Sequence, residues 1–438
     1  MHLIFENLIK NLVLLWTCKF KDVDAGSGSY ELSPEVWEAI GEATAASGAT
    51  IPSAYGARPQ NVAQDKSACT ADSWSFWALY LGPVLLRNRF RRDKYYDHFI
   101  ELIKLINLCL QFEISHEDIE TIRAGFITWV EGYEKLYYQY SPVRISTCPV
   151  TIHSLLHIAD GIKACGPVWA YWAFPMERFC GLLLPCIKSR RFPYANIDSH
   201  VVATAQISQI KNRYGLVQKL SLKAPRTQDV RGALAIPAYP TCLLLRPRVS
   251  NPTISAGMLT KINVALQTRY QKPASTIHRY LSPGEIEEWG RVKIFNGGDT
   301  INASALVKGS EDRRNASYVR YQLLIDKRAR NHRHASVFVG STFYGELQHI
   351  YVVKVPAAPA LGLTTPETLI LGAVLNCKIT GSHPDEKLDI HFYEDHGRIE
   401  VVDITTIQCL VGRFKDRGVW AVIDRSGNLA RATFDVDS

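Results

Sequence analysis

Apolar positions recur at helical spacing through the first half of the chain and alternate with polar ones through the last third. Leu3, Phe5, Leu8, Ile9, Leu12 and Leu15 set the first repeat, which predicts a helix over residues 3–16. Ser33-Pro34-Glu35 opens a second helix through Ala46. Ser33 caps the open N–H groups, Pro34 suits the first turn, and Gly48 ends it. Asp72 reads as the cap of a helix carrying Trp74, Trp77 and Leu81. Another helix runs from about Asp93 to Gln111, with Tyr96, Phe99, Ile103 and Ile106 inward. A fifth starts near Ser115, where Asp118 stands in for the longer acid of a capping box. It buries Ile119, Ile122, Phe126, Val130, Tyr133 and Tyr137, a stripe that reads as core, with a base-stacking platform as the alternative. Further helices are predicted from Thr147-Pro149 to Gly166-Pro167 and over 197–212.

After about residue 315 the period shortens to two. Ser317 to Ile325, Ser336 to Val339, Gly345 to Val355, Leu369 to Thr380, Lys387 to Tyr393, Arg398 to Asp403 and Val419 to Ile423 read as strands, with Glu394-Asp395-His396-Gly397 as a hairpin loop. The pattern weakens between 220 and 300, where Gly, Pro and Ser are frequent. The fold class expected is α+β. Residues 1–225 form a helical region, 226–315 an irregular connection, and 316–438 a small antiparallel β-rich, barrel-like domain.

Composition narrows the class. The chain has 438 residues, 47% of them hydrophobic and 21% charged, which suits packed domains rather than a disordered polymer. A formal charge of +8 fits a polyanionic partner without requiring one. The ten cysteines include no CxxC pair and read as reduced, mostly buried thiols of an intracellular protein. No apolar run approaches the roughly 20 residues that span a bilayer, so no membrane is expected. There is no phosphate-binding glycine loop, dinucleotide fingerprint or nucleophile elbow, and no organic cofactor is called for.

Some side chains could carry chemistry. His153, His157 and Asp160 fall on one helical face, a weak metal-ligand set without the Glu of a zincin; histidines bonded to backbone or carboxylate are the plainer reading. Glu177 lies between Phe174, Met176 and Phe179. Buried there, it would need Arg178, another cation or a metal, because an unpaired buried carboxylate costs several kcal/mol. Arg87, Arg89, Arg91, Arg92 and Lys94 form one basic run, and Lys188, Arg190 and Arg191 another. Both could neutralise DNA phosphates, or simply be solvated faces. Lys327-Arg328-Ala329-Arg330 with Arg333 forms a third, of the kind that also serves nuclear import.

Several of these segments resemble one family. Tyr171-Trp172-Ala173-Phe174-Pro175-Met176-Glu177-Arg178-Phe179-Cys180-Gly181 is similar to the E-R-F-x-G segment of the large DNA transposases of the fungal CACTA and Plavaka groups. Cys148-Pro149-Val150-Thr151-Ile152-His153-Ser154-Leu155-Leu156-His157 resembles a second family segment, and Met1-His2-Leu3-Ile4-Phe5-Glu6-Asn7 resembles the end of its D-x-x-H region. Ser189 to Tyr194 and Phe343 to Leu347 continue the likeness, which covers nearly the whole chain. It implies an RNase H-like core interrupted by a helical insertion, with a β-rich tail. Glu177 would be the last catalytic acid and His2 a neighbouring contact, acting with Mg²⁺ or Mn²⁺. The acid of the D-x-x-H motif would fall before Met1, and Asp22 and Asp24 have the wrong order and spacing to replace it. One carboxylate cannot tether the two ions of phosphodiester chemistry.

The expectation is therefore a transposase-derived, nuclear protein without cleavage activity of its own. It would retain binding to duplex DNA, or association with a full-length transposase or with itself. A metal-dependent strand-transfer fragment and a protein-interaction module remain as alternatives.

Overall fold

The computed structural model describes residues 2–21, 23, 28–64, 69–217, 219–220, 232–281, 283–295, 299–308, 314–326, 328 and 337–426. The fold is α+β. The described residues group into two compact units that do not follow the helical and β-rich halves expected from periodicity. One unit takes residues within Met1–Leu12 and Asp97–Val230; the other takes those within Val13–Tyr96 and Arg231–Gly427. The boundary expected at 225 lies outside the described residues.

The larger unit is built on one antiparallel sheet. Its strands are β1 (Cys242–Val249), β2 (Ile286–Ile294), β3 (Thr300–Asn302), β4 (Tyr318–Asp326), β5 (Phe338–Val355), β6 (Glu367–Ser382), β7 (His391–Asp403), β8 (Ile407–Leu410), β9 (Gly412–Asp416) and β10 (Val419–Ile423). The path runs β1-β2-β5-β6-β7-β10-β9, with β3 on β2 and β4 joining β5 to β8. Only Val411 separates β8 from β9, so the pairings β4-β5-β6-β7-β10-β9 return to β4 through β8. The sheet is thus a curled, barrel-like one. Alternation places Val319, Tyr321, Leu347, Ile350, Val352 and Val374 in one core layer. Tyr318, Tyr344, Cys377, Tyr393, Val411 and Val422 form another. Helix Ala256–Tyr270 buries Met258, Ile262 and Leu266 against a third layer that includes Tyr351, Val353 and Leu369.

Two readings of this unit are corrected. Residues 226–315 are not an irregular connection: they supply β1, β2, β3 and the helices Ala256–Tyr270 and Ala274–Tyr280. The register of β1 on β2 shifts between Leu245 and Arg248, and Pro247 within that shift can donate no ladder hydrogen bond. The interruption masks the alternation. Glu394–Gly397 is not a hairpin loop but lies inside β7. Register shifts around Cys377 let His396 pair opposite it, and these solvent-facing residues show turn-like composition in a strand.

The helices of residues 13–96 belong to this unit because their polar tips are tied to its strands. The Tyr55 hydroxyl reaches Leu410 O at 3.2 Å and Ile423 O at 2.9 Å. The Thr50 hydroxyl donates to Arg413 O, and Ala49 O accepts from Asn315 N at 2.9 Å. Helix Pro34–Ser47 starts as expected, with Ser33 accepting from Val36 N and Pro34 in its first turn. Thr70, not Asp72, caps the helix Ala71–Phe76, accepting from Ser73 N; Asp72 sits within the first turn.

The smaller unit centres on helix His116–Tyr133. Its capping box is complete: Asp118 N donates to Ser115 Oγ at 3.1 Å, and Ser115 N to Asp118 Oδ2 at 2.9 Å. All six stripe residues from Ile119 to Tyr137 are buried, with Trp129 added, so the stripe is core. Gly125 permits close approach, since a Cβ there would lie 2.3 Å from Leu105 Cδ2. His2–Leu8 winds as a wide π-helical turn that buries Phe5 and Leu8. From Lys163 to Val217 no residue is buried, and Met176, Leu182, Leu184, Tyr194 and Tyr214 are each 64–84% exposed.

Candidate functional site

Glu177 sits in the first turn of helix Phe174–Leu183, started by Pro175. It is not buried as the flanking aromatics suggested; its side chain is 47% exposed, and Met176 and Phe179 point to solvent as well. Its partner is His2, whose Nε2 lies 2.5 Å from Glu177 Oε1. The other ring nitrogen, Nδ1, lies 2.5 Å from Glu6 Oε2. Glu6 is one helical turn from His2, so the π-helical turn fixes the pair locally. The structure thus brings together the two residues that the resemblance singled out, and adds Glu6. With a carboxylate at each nitrogen, the imidazole must donate twice. The Glu6 hydrogen bond raises the His2 pKa, desolvation opposes it, and Glu177 adds to the rise.

This donor set does not fit a pair of divalent ions. Each carboxylate shares a proton with the same imidazole, instead of two carboxylates facing a common cation. Among the described residues no group of three or more His, Cys, Asp or Glu side chains is arranged so that it could hold a metal ion. Asp22 and Asp24 lie outside the described residues. His153 and His157 do share a face, their Nε2 atoms 3.2 Å apart, but both are exposed. Asp160 Oδ1 is held at 2.7 Å by Arg123, which leaves its other oxygen 3.7 Å from His157.

The first basic run divides in two. Arg89 is a structural residue and not a free cation: its Nη2 lies 2.7 Å from Asp416 Oδ1, and the side chains are 11% and 6% exposed. Arg91, Arg92 and Lys94 are exposed, with Lys94 over the Tyr95 ring at 4.9 Å. Arg87 is half-buried, its guanidinium 5.7 Å from the Phe392 ring centroid. A cation that sequence reasoning missed joins them. Arg417 and Gly418, at φ 47° and 91°, make the tight turn between β9 and β10. Arg417 donates from Nη2 to Arg87 O at 2.9 Å and from Nε to Asp416 Oδ2 at 2.9 Å. The only sequence signal for it was Asp416-Arg417-Gly418 as a turn, which says nothing of its neighbour far along the chain.

The second run stands on the smaller unit. Asn196 Oδ1 accepts the N–H groups of Lys188 and Ser189, each at 2.8 Å, which fixes the backbone there. Lys188, Arg190 and Arg191 are exposed. Of the third run only Arg328 is among the described residues.

No cysteine is in a disulfide. Four are buried, four half-buried, and Cys165 and Cys180 exposed, so most are not the buried thiols expected. Among the described residues no helix is long and apolar enough to cross a membrane. No protein-family model, curated protein or solved structure matches the chain.

Proposed function

We propose that this chain is a transposase-derived protein that holds duplex DNA by its phosphates and does not cut it unaided. The observation that carries the binding half is the cluster of Arg87, Arg91, Arg92 and Lys94 with Arg417. Its base is set by the Arg89–Asp416 pair, so the exposed cations project from a rigid support. The second half rests on Glu177, whose carboxylate is bound to His2 rather than grouped with the further acids that two-ion phosphodiester chemistry requires. Helix Phe174–Leu183 then corresponds to the helix that carries the last acid in an RNase H-like core, and residence in the nucleus accompanies the reading. Association with a full-length transposase or a second copy is favoured by the apolar side chains exposed along residues 174–217.

A gel-shift series on duplex DNA tests the first half. Binding is expected at ~50 mM salt and should weaken steeply by ~200 mM, since each phosphate contact contributes about 0.9 to the slope of log K against log salt. Arg91→Glu with Arg92→Glu and Arg417→Glu should abolish the shift. Full retention of binding in that triple variant refutes the assignment of the surface. Nicking of a supercoiled plasmid with Mn²⁺, lost in Glu177→Gln, refutes the second half.

A further inference from the structure

A groove of about 800 Å³ opens on the larger unit, remote in sequence from the basic runs. Arg246 and Arg248 of β1, Glu287 and Trp289 of β2 and Lys354 of β5 line it. Glu287 is only 8% exposed and organises the charges. It accepts from Arg248 Nε at 3.1 Å and Nη2 at 2.9 Å, from Lys354 Nζ at 3.3 Å, and from the Trp289 indole N–H at 3.3 Å. The Trp289 ring backs the Arg248 guanidinium, 5.6 Å from its centroid. One buried carboxylate therefore holds two cations at the groove wall, with the guanidinium plane braced from behind.

Arg246 is the third cation. Among the described residues no hydrogen bond or ion pair engages it. Gly232, at φ 83°, leaves room for its guanidinium: a Cβ there would come within 2.1 Å of Arg246 Nε. Three cations against one carboxylate leave the groove at +2. Apart from Thr368 the rest of the lining is apolar, with Leu234, Pro237 and Pro247 at its surface. Small-molecule sites pair an apolar wall with a few placed charges in this way; Arg246 offers the fork that phosphate oxygens accept, while Arg248, its own fork held by Glu287, adds charge beside it.

We infer that this groove binds an organic phosphate monoester: the dianionic phosphate between Arg246, Arg248 and Lys354, and a small apolar body against Leu234, Pro237 and Pro247. The charge of the groove matches one dianion. A single phosphodiester group, with one negative charge, would leave it half neutralised. The inference is independent of the DNA reading, because none of these residues belongs to the basic runs.

The test is calorimetric titration of the full chain with phenyl phosphate, inorganic phosphate and benzoate. Phenyl phosphate should bind roughly tenfold more tightly than inorganic phosphate, because only it has an apolar body to bury, and benzoate should bind more weakly still. Arg246→Gln should weaken phenyl phosphate at least tenfold with no change in melting temperature, since that side chain holds nothing in the fold. Gly232→Ala keeps every charge but displaces the Arg246 guanidinium, and should also weaken binding. The inference is overturned by absence of phenyl phosphate binding at millimolar concentration, by equal binding in Arg246→Gln, or by benzoate binding as tightly. Displacement of phenyl phosphate by micromolar oligothymidylate would overturn it too, marking the groove as a nucleic-acid site. The gel-shift experiment reads other residues, so the two outcomes are separable.

Discussion

Arg89 was expected at a phosphate and is found beside Asp416, and the difference can be measured. The two side chains are 11% and 6% exposed, their charged atoms 2.7 Å apart. Removing one member of such a pair strands the other charge out of water, at about 3–5 kcal/mol. The two truncations should not cost the same. Asp416→Ala strands Arg89, whose Nε already has no partner. Arg89→Ala leaves Asp416 with Arg417 at 2.9 Å, and so should cost less, about 1–3 kcal/mol. For a unit of this size each kcal/mol is worth about 2–4 °C, so Asp416→Ala should lower the melting temperature by roughly 6–20 °C. Arg89→Met with Asp416→Leu should recover most of that loss, because a packed apolar pair has no charge to strand. Differential scanning calorimetry reads all four proteins, and the gel shift reads Arg89→Ala below its melting point, where DNA affinity should be unchanged. A loss below ~1 kcal/mol for Asp416→Ala, a larger loss for Arg89→Ala, or weakened DNA binding without a drop in melting temperature would refute the reasoning.

Three further outcomes follow. His98 is stacked on Trp129 with its Nε2 3.0 Å from Trp129 O and its Nδ1 buried without a partner, and burial pushes its pKa down to about 4. Its contribution is full above about pH 6.5 and lost as pH falls towards 4, at up to about 1.4 kcal/mol per pH unit; His98→Gln should flatten that slope in urea melts of the smaller unit. His2 has a raised pKa, so the stability it adds is present below about pH 6.5 and lost as pH rises through the folded value; its NMR titration midpoint should exceed the ordinary histidine value and drop in Glu6→Gln. Tyr55→Phe removes the donor shared by Leu410 O and Ile423 O and should cost about 1–2 kcal/mol by chemical denaturation; no measurable change would show that water replaces it freely.

Local structure was more legible than assembly. Ser33, Ser115 and Gly48 marked helix ends because capping depends on residues within four positions of one another. The stripe from Ile119 to Tyr137 showed a buried face for the same reason. Which surface such a face meets was not legible: Tyr55 and Arg89 sit in turns between helices and yet fasten to β8, β9 and β10, more than 320 residues on. β1 was missed where Pro247 and a register shift broke its alternation. At the candidate site, His2 and Glu177 were named through family resemblance, and that they touch each other was not legible. Glu6 and Arg417 carried no signal of their own, because nothing in a linear pattern says that Glu6 faces His2 or that a turn Arg meets Arg87. The apolar company of Glu177 misled, since Met176 and Phe179 face solvent.

The larger unit draws on residues 13–96 and 231–427, with the smaller unit's 97–230 nested between them. During synthesis Tyr55 leaves the ribosome long before its acceptor at Ile423 exists; 368 residues separate them. At about 5–20 residues per second that interval is roughly 20–70 s. Throughout it, the early helices have no sheet to cover them, while the nested segment is complete about halfway through and free to fold. Translation therefore imposes an order, inner unit first and outer unit last, and makes the nascent chain a natural client for whatever shields apolar helices in the meantime.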